Sequence, residues 1–358
     1  MALRVLMVIR PNAETVLGGD TVQMRETARA LERNGLTVEQ SIGLPSDAQL
    51  NSCDVVHLFN LHTPDFTLEA AKKVKGKGLP LALSTIYWDF GADRLVIESS
   101  KLRLIRKVFG LPIAYDIARR RHKHNARFEH EKIREILSLA DAHMPNSKIE
   151  SEMVAAFGVA GKVLQVVSNG IDAERYGVRR DLPMPSALAE RGIKSKEYLL
   201  IAARLDPDKN QLEFCRAMQG KGIPIVLCGP APDPVYRDAC RDLGAIVLGQ
   251  ASGDDLDALM LHARVHALPS WRETPGLANL EAAALGCQIV STKMGSVWEY
   301  FEDMAFYCDP ASHIRMQLAV EDAWKAKPSD NLRNRVLERY TWDIAATKTL
   351  EAYQAILR

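Results

Sequence analysis

One stretch, residues 271–292 (WRETPGLANLEAAALGCQIVST), constrains this chain more than any other. Just ahead of it, Val265 to Leu268 form a short, mostly apolar run closed by Pro269 and Ser270, which predicts a buried strand and its exit. Pro275 and Gly276 keep a helix from starting earlier. From Leu277 onward the residues are helix formers, and Gly286 stands where such a helix ends. Residues 288–292 then predict the next strand.

Strand, loop, helix, strand is the repeating unit of a parallel α/β sheet, and ligands of such sheets gather beyond the carboxyl ends of the strands. The loop 273–276 lies at that edge. The amides of Gly276 and Leu277 stand at a helix N-terminus, where unbonded N–H groups and the dipole favour an anion. Glu281 shares its helix with Leu280, Ala282, Ala283, Ala284 and Leu285, which predicts burial on most sides. A buried carboxylate needs a partner, and either a ligand diol or an arginine supplies one.

Glu273 and Glu281 are eight positions apart, with Pro-Gly-Leu between them and Glu-Ala-x-x-x-Gly following. This pattern resembles the signature of glycosyltransferase family 4, retaining enzymes of the two-domain GT-B fold. The resemblance implies that Glu273 contacts a donor sugar, with Thr274 and Pro275 in the same loop. It implies that the amides of Gly276 and Leu277 bind the donor diphosphate and that Glu281 holds the nucleotide ribose.

Composition sets the outer bounds. A chain of 358 residues, 47% hydrophobic and 25% charged, suits two globular domains with sizeable cores. A net charge of +1 points to no nucleic-acid partner. Six cysteines without a Cys-x-x-Cys pair read as core thiols of a reducing compartment. Arg4 and Arg10 bracket only five apolar residues, a first strand too short for a signal peptide. No run approaches the ~18 apolar residues of a membrane-spanning helix. The expected location is cytoplasmic, or peripheral on the inner face of a membrane.

Along the first half, residues 5–9 predict a strand, a loop runs to Gly18-Gly19, and residues 21–34 predict a helix closed by Gly35. No Gly-x-Gly-x-x-Gly follows the strand, which argues against a dinucleotide fold. In the family resembled, a Gly-Gly loop faces the interdomain cleft near the phosphates and acceptor; a plain turn is the alternative for Gly18 and Gly19. Strands are predicted at 55–59 and 79–84. After the second, many family members carry a His-Asp pair, and here Tyr87, Trp88 and Asp89 stand instead. The aromatics either stack on a sugar face or pack at the edge of the cleft. Over 101–134, eleven basic residues face three acidic ones and flank an apolar patch of Val108, Phe109, Leu111, Ile113, Tyr115 and Ile117. That pattern suits an anionic membrane surface or a phosphate-bearing lipid acceptor, or else a solvated helical face. A helix at 147–157 and a strand at 163–167 follow, then the turn Asn169-Gly170 and an Arg- and Pro-containing linker at 178–185.

The second half restarts the α/β rhythm with a strand at 198–203. Arg204 and Lys209 lie five apart just beyond it, a fork of donors and a point charge that suit a diphosphate. The resemblance implies the same clamp. Asp206-x-Asp208 in that loop matches a metal-binding pattern of another glycosyltransferase fold; we read both residues as turn and cap formers. No other metal constellation is present, so no metal or cofactor is expected. Strands at 223–228 and 246–248 are separated from the next by helices at 234–243 and 254–262, and the resemblance puts the nucleotide base near Gly249. Gly295 and Glu299 suit the turn and helix that follow the glutamate unit. The final helix, 343–357, is expected to return to the first domain, with Trp342 as a packing anchor.

These readings predict an α/β chain of GT-B type: two doubly wound Rossmann-like domains facing across a cleft, 1–175 with 342–358, and 186–341. The expected activity is transfer of a sugar from a nucleotide-diphosphate donor to a glycan, lipid-linked or small-molecule hydroxyl, with retention. Arg204, Lys209 and Glu273 are its expected catalytic residues, and a bacterial polysaccharide or glycolipid pathway its expected setting. The alternatives are a metal-dependent transferase using Asp206 and Asp208, an inactive nucleotide-sugar-binding protein, and a GT-B-like epimerase or phosphorylase.

Overall fold

A computed structural model describes residues 2–16, 18–89, 91, 95–96, 99–109, 113–114, 116–118, 120–121, 127–178 and 180–358. It divides into two compact units, Met1–Asn169 with Trp342–Arg358, and Gly170–Thr341. Of the basic-apolar segment read from sequence, Leu111, Tyr115, Arg119 and Lys123 lie outside the described residues.

The first unit holds a six-stranded parallel sheet of β1 (Arg4–Ile9), β2 (Thr37–Ile42), β3 (Val55–Phe59), β4 (Leu81–Ser84), β5 (Ala142–Met144) and β6 (Val163–Leu164). Their order is β2-β1-β3-β4-β5-β6. The central strands are mostly apolar runs buried on both faces, as a parallel sheet covered by helices requires. Four helices of this unit bear on the argument: α1 (Gly19–Arg33), α2 (Pro64–Gly76), α3 (Ser100–Phe109) and α4 (Lys148–Ala155).

The second unit repeats the architecture with β7 (Leu199–Ala202), β8 (Ile225–Cys228), β9 (Ile246–Gly249), β10 (Val265–Leu268), β11 (Gln288–Thr292) and β12 (Phe306–Cys308). The order is β12-β11-β10-β7-β8-β9, all parallel. Its helices include α5 (Gln211–Met218), α6 (Gly253–His262) and α7 (Leu277–Ala284). The last helix, α8 (Trp342–Leu357), belongs to the first unit, where it packs on α1, β4, β5 and β6. Trp342 is buried at its start.

Residues 170–178 and 180–185, partly read from sequence as linker, are held to the second unit. The Arg175 Nε donates to Asp257 Oδ2 at 2.8 Å, and Arg180 pairs with both Asp257 and Asp254. Asp257, only 1% exposed, explains this: a buried carboxylate draws in cations. Gly170 serves close approach rather than a left-handed turn. A Cβ there would fall 2.3 Å from the Thr341 carbonyl carbon, where Ile171 N–H donates to Tyr340 O at 2.9 Å. All six cysteines are buried and free. Among the described residues no helix is long and apolar enough to cross a membrane.

Candidate functional site

In the second sheet the winding reverses between β7 and β10, which are neighbours despite the strands that separate them in sequence. Open α/β sheets bind ligands at such a switch point, in the crevice outside the carboxyl ends. Two loops flank it, and they carry the residues that the sequence singles out.

The loop after β7 is bonded to itself and to its neighbour. Gln211 Nε2 donates to Arg204 O at 2.8 Å, and Lys209 N–H donates to Asp206 Oδ1 at 3.1 Å, capping a short 3₁₀ turn over Pro207–Lys209. Asn210 adopts a left-handed conformation, φ 62°, that asparagine tolerates better than most residues. Its side-chain amide donates to Pro269 O at 3.2 Å and Pro310 O at 2.9 Å, and Trp271 N–H donates to Asp208 O at 3.0 Å. The β7 loop is thereby tied to the exit of β10.

The loop after β10 positions Glu273. Its N–H donates to Met294 O at 3.0 Å, and its carbonyl accepts from Ser296 N–H at 3.1 Å. This close passage explains Gly295, where a Cβ would fall 1.9 Å from Glu273 O. The Glu273 carboxylate is 5% exposed; Oε1 accepts from Ser270 Oγ at 2.7 Å and pairs with the Lys209 ammonium. Gly276, φ 78°, begins α7, and a Cβ there would lie 3.2 Å from Glu273 Oε2. A buried carboxylate, a lysine and a helix tip therefore share one edge of the sheet.

Beneath the tip runs a buried polar chain. Ala202 N–H donates to His266 Nε2 at 3.2 Å, so His266 carries its proton on Nδ1 and donates to Asn279 Oδ1 at 2.9 Å. Asn279 Nδ2 in turn donates to Ser291 Oγ at 3.2 Å. Burial holds His266 neutral, its pKa lowered to about 4, while the Asn279 hydrogen bond acts in the opposite sense. Sequence reasoning passed over His266, Asn279, Ser270 and Asn210. The one available signal was a histidine and an asparagine in positions that the pattern marks as core.

The remaining expected donor residues lie around this edge in different ways. Arg204 pairs with Asp206 inside its own loop, its side chain 48% exposed. Asp206 thus accepts from Lys209 N–H on one oxygen and from Arg204 on the other, which favours turn former over metal ligand. Among the described residues no group of three or more His, Cys, Asp or Glu side chains is arranged to hold a metal ion. Thr274 and Pro275 lie between Glu273 and the α7 tip. Glu281 is half-buried rather than enclosed, on a helix that borders residues 173–177. Its charge acts on Arg175, and on Tyr176, whose hydroxyl is pushed up by burial first and by Glu281 next. Gly249 ends edge strand β9 at φ 80°, and its carbonyl accepts from Gly229 N–H at 2.7 Å.

In the first unit the expected acceptor-side residues divide: Gly19 is exposed, Gly18 and Asp89 are half-buried, and Tyr87 and Trp88 are buried. Gly18 precedes α1 and Gly19 opens it; a Cβ on Gly18 would fall 2.6 Å from Asp20 Oδ1. Tyr87 and Trp88 are 8% and 4% exposed, and the Tyr87 ring packs against His62 and Phe157. Of the two alternatives left open by the sequence, stacking on a sugar face and packing, the burial of both rings favours packing. The loop that carries them is anchored by Glu150, 3% exposed, which accepts from Tyr87 N–H and Asn146 N–H at 2.9 Å each and from the Thr85 hydroxyl. Asp89 is half-buried beside them.

Comparison with known proteins agrees with this geometry. Residues 187–339 match the family model described as glycosyl transferases group 1. A sulfoquinovosyl transferase of Arabidopsis thaliana is 24% identical over 229 residues, 60% of this chain and 44% of that protein. An alpha-maltose-1-phosphate synthase of Mycobacterium tuberculosis is 23% identical over 239 residues, 59% of this chain and 62% of that protein. The matches thus span about half the length of these curated relatives. Among solved structures, a sucrose-phosphate synthase from Thermosynechococcus elongatus superposes with a TM-score of 0.75 at 15% identity, covering 98% of each chain. Anabaena HepE in complex with UDP gives 0.68 at 17% identity, covering 98% of this chain and 99% of that one. Residues 187–339 thus match the model of the group 1 glycosyl transferases, within a chain of GT-B fold.

Proposed function

We propose that this protein transfers a sugar from a nucleotide-diphosphate donor to an acceptor hydroxyl, with retention at the anomeric carbon. The observation that carries the reading is the Lys209–Glu273 pair beside the α7 tip at the switch point of the second sheet. As the anomeric C–O bond to the diphosphate breaks, negative charge grows on the leaving group. Lys209, Arg204 and the amides of Gly276 and Leu277 stabilise that charge where it develops. Glu273, released from Lys209 by the incoming phosphates, turns its oxygens to the donor sugar. Glu281 accepts from the ribose diol. Donor charge is met by side-chain cations, so the reaction as proposed uses no metal.

Similar proteins supply the first donor to test. HepE binds UDP and UDP-glucose, so a uridine diphosphate sugar heads the panel. The acceptor is a glycan, a lipid-linked sugar or a small molecule. Helix α3 supports a membrane-proximal acceptor: Leu104, Val108 and Phe109 are each 63% exposed, with Lys101 on the exposed surface. We place the protein in the cytoplasm, peripheral to the inner face of the membrane, in bacterial polysaccharide or glycolipid assembly.

A thermal-shift panel of UDP, GDP, ADP and dTDP with their sugars tests the reading. A ligand at 100 times its Kd stabilises the folded state by about 2.7 kcal/mol. One nucleoside diphosphate should raise Tm by several degrees, and its sugar should be consumed only when an acceptor is supplied. A flat panel would remove the proposal.

A further inference from the structure

We infer that His266 and Asn279 are positioning residues: the buried chain from β7 through His266 and Asn279 to β11 sets the orientation of the α7 tip toward a bound diphosphate. The inference rests on the proposed donor site and deepens it. Its starting point is the ladder between β7 and β10. These strands pair only at Val265–Leu199 and His266–Leu200, and beyond that they part. The Ala202 N–H, which a longer ladder would have bonded to backbone, is taken by the His266 ring at 3.2 Å. A histidine with 0% exposure in the middle of a parallel strand, where aliphatic residues are the rule, thus closes the gap that opens at the switch point.

The ring's other nitrogen then dictates how Asn279 lies. With Oδ1 held by His266 at 2.9 Å, the amide nitrogen must face Ser291 Oγ, at 3.2 Å, and the underside of Gly276, 3.0 Å from the place of a Cβ. Asn279 N–H also donates to Gly276 O at 2.9 Å, so backbone and side chain of one residue grip the same turn. Ala202 leads within two residues to Arg204, and Gly276 opens α7. One histidine therefore couples the two loops that meet the anion. Freed from His266, the Asn279 amide can rotate and bring its oxygen toward the N–H groups of the tip, where it competes with a phosphate.

Titration calorimetry with UDP and UMP tests this, because the two probes differ only in the outer phosphate. His266→Phe keeps ring volume and removes both hydrogen bonds; Asn279→Leu removes the second link and serves if the first variant does not fold. We expect UDP to bind about tenfold more weakly in either variant while UMP stays within about twofold, so that UDP loses its advantage. His266→Asn, which keeps a donor in the place of Nδ1, should regain most of it. UDP and UMP weakening together, or neither changing while Tm falls, would show a merely structural role and overturn the inference. If the wild type binds none of UDP, GDP, ADP and dTDP, the proposed transfer falls, and inorganic pyrophosphate then decides the inference separately. Tighter pyrophosphate binding by the wild type than by the variants retains it, and equal binding ends it.

Discussion

The two sheets reverse their winding at corresponding places, between β1 and β3 in the first unit and between β7 and β10 in the second. Each place holds a cation paired with a carboxylate, yet the pairs are built for different ends. In the first, the Arg10 fork meets Asp20 at 2.7 and 3.0 Å, Asn12 Oδ1 at 2.7 Å and Val16 O at 2.7 Å. Asn60, just beyond β3, adds a hydrogen bond to Asp20 at 2.9 Å. Both side chains are under 10% exposed. In the second, Lys209 is 29% exposed and offers a point charge on a flexible stem. The first pair is a clamp whose donors are committed; the second is a pair whose partners an incoming anion can exchange. The fold supplies the same crevice twice, and the choice of cation decides which one is closed by the protein itself.

The largest expected effect separates clamp from site directly. Asp20→Ala strands a buried guanidinium and should cost about 3–5 kcal/mol of stability. Glu273→Ala leaves Lys209 free to reach water and should cost no more than about 1 kcal/mol. Urea unfolding curves of the two variants measure both. Equal losses would erase the distinction.

Activity should rank the two ion pairs in the opposite order. Lys209→Ala removes a cation from the developing diphosphate charge and is expected to lower turnover by roughly 10²-fold, about 2.7 kcal/mol at the barrier, with little change in Tm. Initial rates with the donor found by thermal shift check this. Near-normal turnover would take Lys209 out of the mechanism.

Much of the second switch point was legible in the sequence because its signals are local. Pro275 and Gly276 punctuate a helix start, and Arg204 and Lys209 sit at a strand exit; each reads within a few residues. The first switch point was not legible, because Arg10, Asp20 and Asn60 meet only after the sheet forms. Gly18 read as part of a cleft-facing loop or of a plain turn, whereas it is the residue whose Cβ would collide with Asp20. For Tyr87 and Trp88 the sequence left stacking and packing both open, because nothing local foretells that Phe157 packs against Tyr87. Among the strands, β2 escaped because it is a largely exposed edge with polar residues, and β5 and β12 because three residues carry too little periodicity. His266 broke an apolar pattern, and that mismatch was the one visible trace of the buried chain beneath the helix tip.

A change in pH dependence, spread over several pH units, tests a further parallel. Each unit buries a histidine on the strand just past its switch point. His57 on β3 is hydrogen bonded with the Tyr353 hydroxyl at 2.7 Å and Ser84 Oγ at 2.9 Å, and burial lowers its pKa to about 3. His266 on β10 is lowered to about 4. Both groups stay neutral in the folded chain while the unfolded chain takes up their protons near pH 6.5. The unfolded state therefore binds more protons as pH falls below about 6.5, and stability declines in that window by about 1.4 kcal/mol per pH unit for each histidine. The His266 contribution stops growing near pH 4 and that of His57 near pH 3. Replacing His266 with asparagine keeps a hydrogen-bond donor and removes the titration, so the slope between pH 6.5 and pH 4 should fall by about 1.4 kcal/mol per pH unit, measured by urea unfolding across that range. A slope left unchanged by His266→Asn would assign the titration to other groups and dissolve the parallel between β3 and β10.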